Sequence, residues 1–155
     1  MNSRLYRPED AAAIAKIFTR SVAEIAREDY APEQLEVWAS REASAERIGD
    51  RCTDGRTVLV AVDDSDRPLA FADLEVNGYI DHIYCTPEFA GKGVVSSLYD
   101  DLEAIARESG LDRLFTEASE AARRLFLRKG FAVTTEREFE IDGVPFHNYA
   151  MEKML

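Results

Sequence analysis

The chain has 155 residues, 46% hydrophobic and 32% charged, a balance that suits one globular domain over 1–155 and excludes a disordered chain. Its formal charge of −11 removes the basic stripe that nucleic-acid binding needs and favours cationic small molecules as partners. No apolar run is long enough for a membrane span, "MNSRLYRPED" lacks the apolar stretch of a signal peptide, and Cys52 and Cys85 make no disulfide framework, so a cytoplasmic protein without membrane contact is expected.

Taken in chain order, "YRPEDAAAIAKIFTRSVAEIAR" opens with Pro8 and acids and spaces Ile14, Ile17, Phe18, Val22 and Ile25 along one helical face. "YAPEQLEVWAS" predicts a second helix with Pro32 in its first turn, and "REASAERIG" a third, short one closed by Gly49. The texture then turns β-branched and aromatic. Strands are predicted at about 57–62, 68–76 and 79–85, the last two joined at Asn77-Gly78, a strong hairpin signal. After Gly93 a helical stripe of Val94, Leu98, Leu102 and Ile105 runs to Gly110. "LDRLFTEA" reads as a strand, "SEAARRLFLRKG" as a helix capped by Ser119, and the last two strands meet at Asp142-Gly143. The expected order is β-α-α-β-β-β-α-β-α-β-β, an α/β chain with a mixed sheet.

The segment "YCTPEFAGKGVVSSL" puts Gly91, Lys92 and Gly93 where a helix begins. Free backbone N–H groups at a helix start, together with the helix dipole, make an anion site, and glycine lets a ligand approach the backbone. By itself the pattern is also an ordinary turn before a helix. A P-loop is excluded because G-x-x-x-x-G-K-[ST] is missing; a dinucleotide fingerprint would need a glycine at Ser96 and a parallel crossover.

The segment resembles the acetyl-CoA signature of the GNAT superfamily of N-acetyltransferases, here Ala90-Gly91-Lys92-Gly93-Val94-Val95 after "IYCTP". "SEAARRLFLRKGF" is similar to the second motif of that family, with Ser119, Ala122 and Gly130-Phe131 in its places. The element order also matches, so the resemblance covers nearly the whole chain. It implies a GNAT-type fold, a mostly antiparallel sheet flanked by helices, and acetyl transfer from acetyl-CoA to a primary amine, without a metal. It implies that amides 91–96, including Ser96, hold the pyrophosphate and that strand Ile83–Cys85 splays from "LFTEA". One N–H near Ile83 or Tyr84 then polarises the thioester carbonyl, while Ser119 and Phe126 border the pantetheine arm. Three positions depart from the family: Ala90 replaces a Gln or Arg, Val95 replaces a small residue, and Phe126 replaces a tyrosine that protonates the leaving thiolate. They leave a non-catalytic acyl-CoA sensor as the rival reading.

A base must take a proton from the amine. A two-residue turn at Asn77-Gly78 sets Asp73 opposite His82 and Leu74 opposite Asp81, so Asp73, Glu75 and His82 share one face and Asp81 the other; a bulge would swap faces. Asp81 and His82 together are the candidate catalytic residues, against a plain solvated strand face. Tyr30, Trp38 and Glu75 are candidates for the acceptor side, with core anchoring as the alternative for the two aromatics. Cys85 also reads as a packing residue, and His147, with a single possible histidine partner, as no metal ligand. The final hairpin offers an edge for a homodimer. The identity of the acceptor is not encoded in any of these motifs.

Overall fold

The computed structural model describes residues 2–42 and 44–155. Strand β1 (Asn2–Leu5) leads through a short turn into helix α1 (Ala11–Arg20). The sequence pattern predicts one helix to about residue 27, but Ser21–Ile25 widens into a π-helical turn and Ala26–Glu28 tightens into a 3₁₀ turn. The change of winding has a packing consequence: Val22 stays with the core of α1, whereas Ile25 packs against the opposite core cluster. Helix α2 (Pro32–Ala39) starts as expected, with the Ala31 N–H donating to Gln34 Oε1 at 2.8 Å. The third helix, expected over 41–49, is α3 (Ala45–Cys52): Ser44 caps it by accepting from the Arg47 N–H, and the helix runs through Gly49. Residue 43 of that expectation lies outside the described residues.

The strands β2 (Thr57–Val62) and β3 (Pro68–Leu74), helix α4 (Val94–Glu108), strand β6 (Arg113–Ala118), helix α5 (Glu120–Arg128) and strands β7 (Ala132–Ile141) and β8 (Val144–Met154) lie where the sequence puts them. Gly110, Ser119 and Gly130 end or begin their helices as predicted. Asp142 and Gly143, both with positive φ, form the last hairpin turn.

The third central strand departs from prediction. It is cut into β4 (Tyr79–Ile80) and β5 (Ile83–Cys85), and Asp81 and His82 belong to neither. The turn is also one residue longer than expected. The Gly78 N–H donates to the Glu75 carbonyl, the Glu75 N–H to the Tyr79 carbonyl, and Gly78 takes φ 97°. This is a tight turn on Val76-Asn77 followed by a left-handed bulge residue, not a two-residue turn on Asn77-Gly78.

Two four-stranded sheets result, in the orders β1-β2-β3-β5 and β4-β6-β8-β7. One core cluster joins α1 and α3 to the first sheet through Ile14, Phe18, Ile48, Val60 and Phe71. The other lies under α4 and α5, where Leu98, Leu102, Leu114, Phe126 and Met151 are fully buried.

Gly78 is the tightest backbone position. A Cβ there would lie 2.3 Å from the Arg113 carbonyl oxygen, at a φ that L residues avoid. Gly78→Ala is expected to lower unfolding stability by about 2–4 kcal/mol, read by urea denaturation.

Candidate active site

The site begins where the two sheets part. β4 pairs in parallel with β6 only at Tyr79↔Phe115 and Ile80↔Thr116, and Thr116 Oγ1 donates to the Ile80 carbonyl at 2.7 Å. Beyond it the chain pairs with β3 alone, Ala72↔Ile83 to Ala70↔Cys85. The bonds Thr86 N–H to Leu69 O and Asp73 N–H to His82 O fix which pairs exchange backbone hydrogen bonds. By the alternation of an antiparallel ladder, Tyr84 turns its main-chain groups to Phe71, whereas Ile83 and Cys85 turn theirs into the gap left by β6. The free donors are therefore at Ile83 and Cys85, and Tyr84 is removed as an oxyanion donor.

One side of this gap is a groove of about 430 Å³. It runs from Ile83, Tyr84 and Cys85 to Ala90, Gly91 and Gly93, then to Val94, Val95 and Ser96. Gly91 (φ 73°) and Gly93 (φ 82°) hold the left-handed backbone that turns the chain into α4, and a Cβ at either would meet nothing within 4 Å. The corner is open and the first amides of α4 have no intrahelical partner, which fits a diphosphate. Lys92 does not line the groove: its ammonium rides over the Phe89 ring, 5.4 Å from the centroid. Arg128, which the sequence pattern does not single out, supplies a cation to the wall instead.

The other side is a chamber of about 240 Å³. Trp38, Ile83, Tyr84, Ser119 and Ala122 line both spaces, so groove and chamber meet across the unpaired stretch. Phe126 lines only the chamber side, packed against Phe131 and Tyr99, and is not a groove residue.

Asp73 organises the near wall. One carboxylate oxygen accepts the N–H groups of Asp81 (2.9 Å) and His82 (2.8 Å). The other accepts from Arg56 (2.7 Å) and lies 2.7 Å from His82 Nδ1. Asp81 bonds Arg56 at 3.0 Å and Arg51 at 3.2 Å, and lies 3.6 Å from His82 Nδ1. Asp73 and His82 face each other as expected, but Asp81 joins them rather than pointing away, because the break at 81–82 acts as a bulge. Glu75 is excluded from the site: it starts the turn and lines neither space.

Burial alone would raise the Asp73 carboxyl, but the hydrogen bond and charge of His82, with Arg56, hold it below the usual carboxylate range. Burial would likewise lower the His82 imidazole, yet the Asp73 hydrogen bond and charge hold it above its ordinary value. His82 Nε2 has no protein partner among the described residues, and His82 is a chamber residue. Asp73, Asp81 and His82 bring ligand atoms within 4.8 Å of one another, a spacing a cation could use, but the Arg56 guanidinium already answers both carboxylates.

Tyr30 and Trp38 pack edge to face, with ring centroids 5.2 Å apart, and both line the chamber. The Tyr30 hydroxyl also accepts from the Glu120 N–H at 3.0 Å, so it anchors α5 as well as walling the chamber. Arg56, Arg51 and Glu42 went unnoticed in the sequence. No local pattern marks them, since β2 beside Arg56 is buried at every position from Val58 to Val62.

A family model described as "Acetyltransferase (GNAT) domain" matches residues 26–153. An uncharacterized N-acetyltransferase of Escherichia coli, YafP, is 32% identical over 96% of this chain and 92% of its own length. A GCN5-related N-acetyltransferase from Rhodopseudomonas palustris, its structure titled as an aminotransferase of class II, is 33% identical with a TM-score of 0.92. That match covers 99% of this chain and 95% of the other. The PaiA N-acetyltransferase of Thermoplasma acidophilum, solved with coenzyme A, superposes over 100% of both chains with a TM-score of 0.79 at 19% identity, a likeness of fold.

The Arg56 side chain is 4% exposed and serves Asp54, Asp73 and Asp81. Arg56→Met removes the guanidinium from the buried Asp73 carboxylate and is expected to cost about 3–5 kcal/mol of stability, read as a lower urea midpoint.

Proposed function

Because the chain belongs to the GNAT family of N-acetyltransferases, we propose that it passes acetyl from acetyl-CoA directly to the primary amine of a small molecule or an exposed amino group. The observation that carries this reading is the junction of groove and chamber at a strand paired on one edge only, with an imidazole–carboxylate pair on the chamber wall.

In this reading the amides at Gly91–Ser96 and the Arg128 guanidinium take the diphosphate, and the pantetheine arm lies along Ile83–Cys85. The N–H of Ile83 or Cys85 donates to the thioester oxygen as negative charge develops on it. The amine approaches from the chamber, where His82 Nε2 accepts its proton directly or through one water. Asp73 fixes the tautomer by accepting a hydrogen bond from Nδ1–H, and Asp81 adds negative charge beside the imidazolium that forms. Nitrogen then attacks the carbonyl carbon, and the carbon–sulfur bond breaks.

The enzymatic test is thiol release from acetyl-CoA across a panel of amines, with mass detection of the acetylated product. Silence with every amine, despite acetyl-CoA binding, would overturn the reading. His82→Asn is expected to lower kcat about 10²-fold with KM for acetyl-CoA little changed, and unchanged turnover would remove His82 as the base. The neutral imidazole is the active form, so kcat should fall as pH drops through the raised His82 value, higher than for an ordinary histidine. Gly93→Val, which forces a left-handed backbone position onto a β-branched residue, should raise KM for acetyl-CoA about tenfold or more.

A further inference from the structure

The chamber wall carries three carboxylates, from Glu42, Asp81 and Glu117. Asp81 accepts from Arg56 and Arg51, and Glu117 from Arg137. Glu42 is different. It ends the short turn Ser40–Glu42 that follows α2, is 4% exposed, and meets Arg51 through Oε1 at 3.3 Å. Its Oε2 is buried and has no hydrogen-bond partner among the described residues. A carboxylate oxygen taken out of water without a donor is costly, so this one calls for a donor from outside the protein.

The charge around it points to the kind of donor. Glu42, Asp54, Asp73 and Asp81 share two guanidiniums, Arg51 and Arg56, so the network is short of positive charge. Even with His82 protonated the acids outnumber the cations. Arg51 is committed to Glu42 and Asp81, and Arg41, which also lines the chamber, is exposed, where water screens its charge. Tyr30, Trp38 and Phe146 line the same space, and aromatic faces attract a cation. Glu42 lines the chamber and not the groove, whereas the two meet at Ile83, Tyr84 and Ser119. Glu42 therefore stands off the junction where the thioester enters, which suits the far end of an acceptor rather than its reacting nitrogen.

Given the acetyl transfer proposed above, on which this inference rests, we propose that Glu42 selects the acceptor: its Oε2 takes a second protonated nitrogen, and the substrate is a small diamine. One nitrogen reacts at the junction while the other stays an ammonium on Glu42, so the product is the mono-acetylated diamine. A monoamine leaves the buried oxygen unanswered. The lysine side chain of a protein does the same, since it carries no second cation to reach it.

The test is kcat/KM, at saturating acetyl-CoA, for a series of α,ω-diamines and for monoamines and amino alcohols of the same chain lengths. The unmodified protein should favour its best diamine over the matching monoamine and amino alcohol by about tenfold or more, the worth of a hydrogen bond to a charged group. Glu42→Gln should bring the diamine-to-monoamine ratio close to one; a general loss of activity through Arg51 and Asp81 would leave that ratio as it was. Glu42→Asp withdraws the carboxylate by one methylene and should keep the preference while moving the optimum to a longer diamine; it carries the test if Glu42→Gln does not fold. Monoamines or amino alcohols used as well as diamines, a ratio indifferent to Glu42→Gln, or an optimum unmoved in Glu42→Asp overturns this proposal and leaves acetyl transfer standing. Absence of thiol release by the unmodified protein with every amine overturns the transfer reading itself.

Discussion

Asp73 determines where β-pairing stops. Its carboxylate is 3% exposed at residue level and takes two backbone amides that a neighbouring strand would otherwise claim. A carboxylate oxygen accepting two N–H groups is a stronger partner for them than a ladder carbonyl. The chain therefore leaves the ladder at Asp81–His82, re-enters it at Ile83, and arrives with Ile83 and Cys85 facing the gap. The same oxygen pair fixes the His82 ring. Strand break, exposed amides and imidazole aim are thus three results of one buried side chain.

Such a side chain is costly to bury, and the surroundings reflect it. Asp73 is met by a guanidinium, an imidazole and two amides, while Asp81, Asp54 and Arg51 extend the network toward solvent and Arg51 also reaches the buried Glu42. A buried ion pair of this kind adds little to stability over an apolar pair of the same volume, and removing one member is severe. Its retention makes sense as geometry. Alternating opposite charges hold the chamber wall rigid, and the imidazole keeps one nitrogen for chemistry. Arg56 is central to this economy of charge, since it contacts three aspartates at once.

What the sequence discloses follows from what makes each part. The anion corner of the groove is made of main chain, so its demands are local: two glycines at positive φ and a helix start, with Ser119 as a cap three residues before Ala122, whereas side chains such as Ile25, Trp38 and Leu125 close the rest. Those demands leave a readable trace over a few consecutive residues, and the fold order follows from periodicity and turn residues. The chamber is made of side chains from six distant segments, around residues 18, 30–42, 51, 79–84, 116–126 and 139–148. Nothing local marks Arg56 as buried or Glu120 as the partner of His147, because each is settled by which sheet it meets. Hairpin arithmetic put Asp73 opposite His82 and yet misplaced Asp81, since pairing rules assume that the ladder continues. An aspartate side chain that competes with the ladder breaks that assumption without any sign in the pattern.

The division also bears on which parts can change independently. A backbone cradle recognises a diphosphate by its N–H groups, and almost any side chain may stand there if the φ angles survive; Val95 and Ala90 line the groove without a polar atom. The chamber has no such tolerance at its hydrogen-bonded pairs, but Phe139 and Phe146 on the final hairpin and Trp38 on α2 make no hydrogen bond to Asp73, Asp81 or Arg56 among the described residues. Phe139 and Phe146 stack at 5.8 Å across β7 and β8, on a hairpin tethered to α2 by Gln34 through the Pro145 carbonyl. Replacing these rings would reshape the acceptor's surroundings without disturbing Asp73, Arg56 or the strand break. In the proposed transfer the imidazole and its carboxylates belong to this charged wall, and the acceptor's shape is left to the chamber's rings.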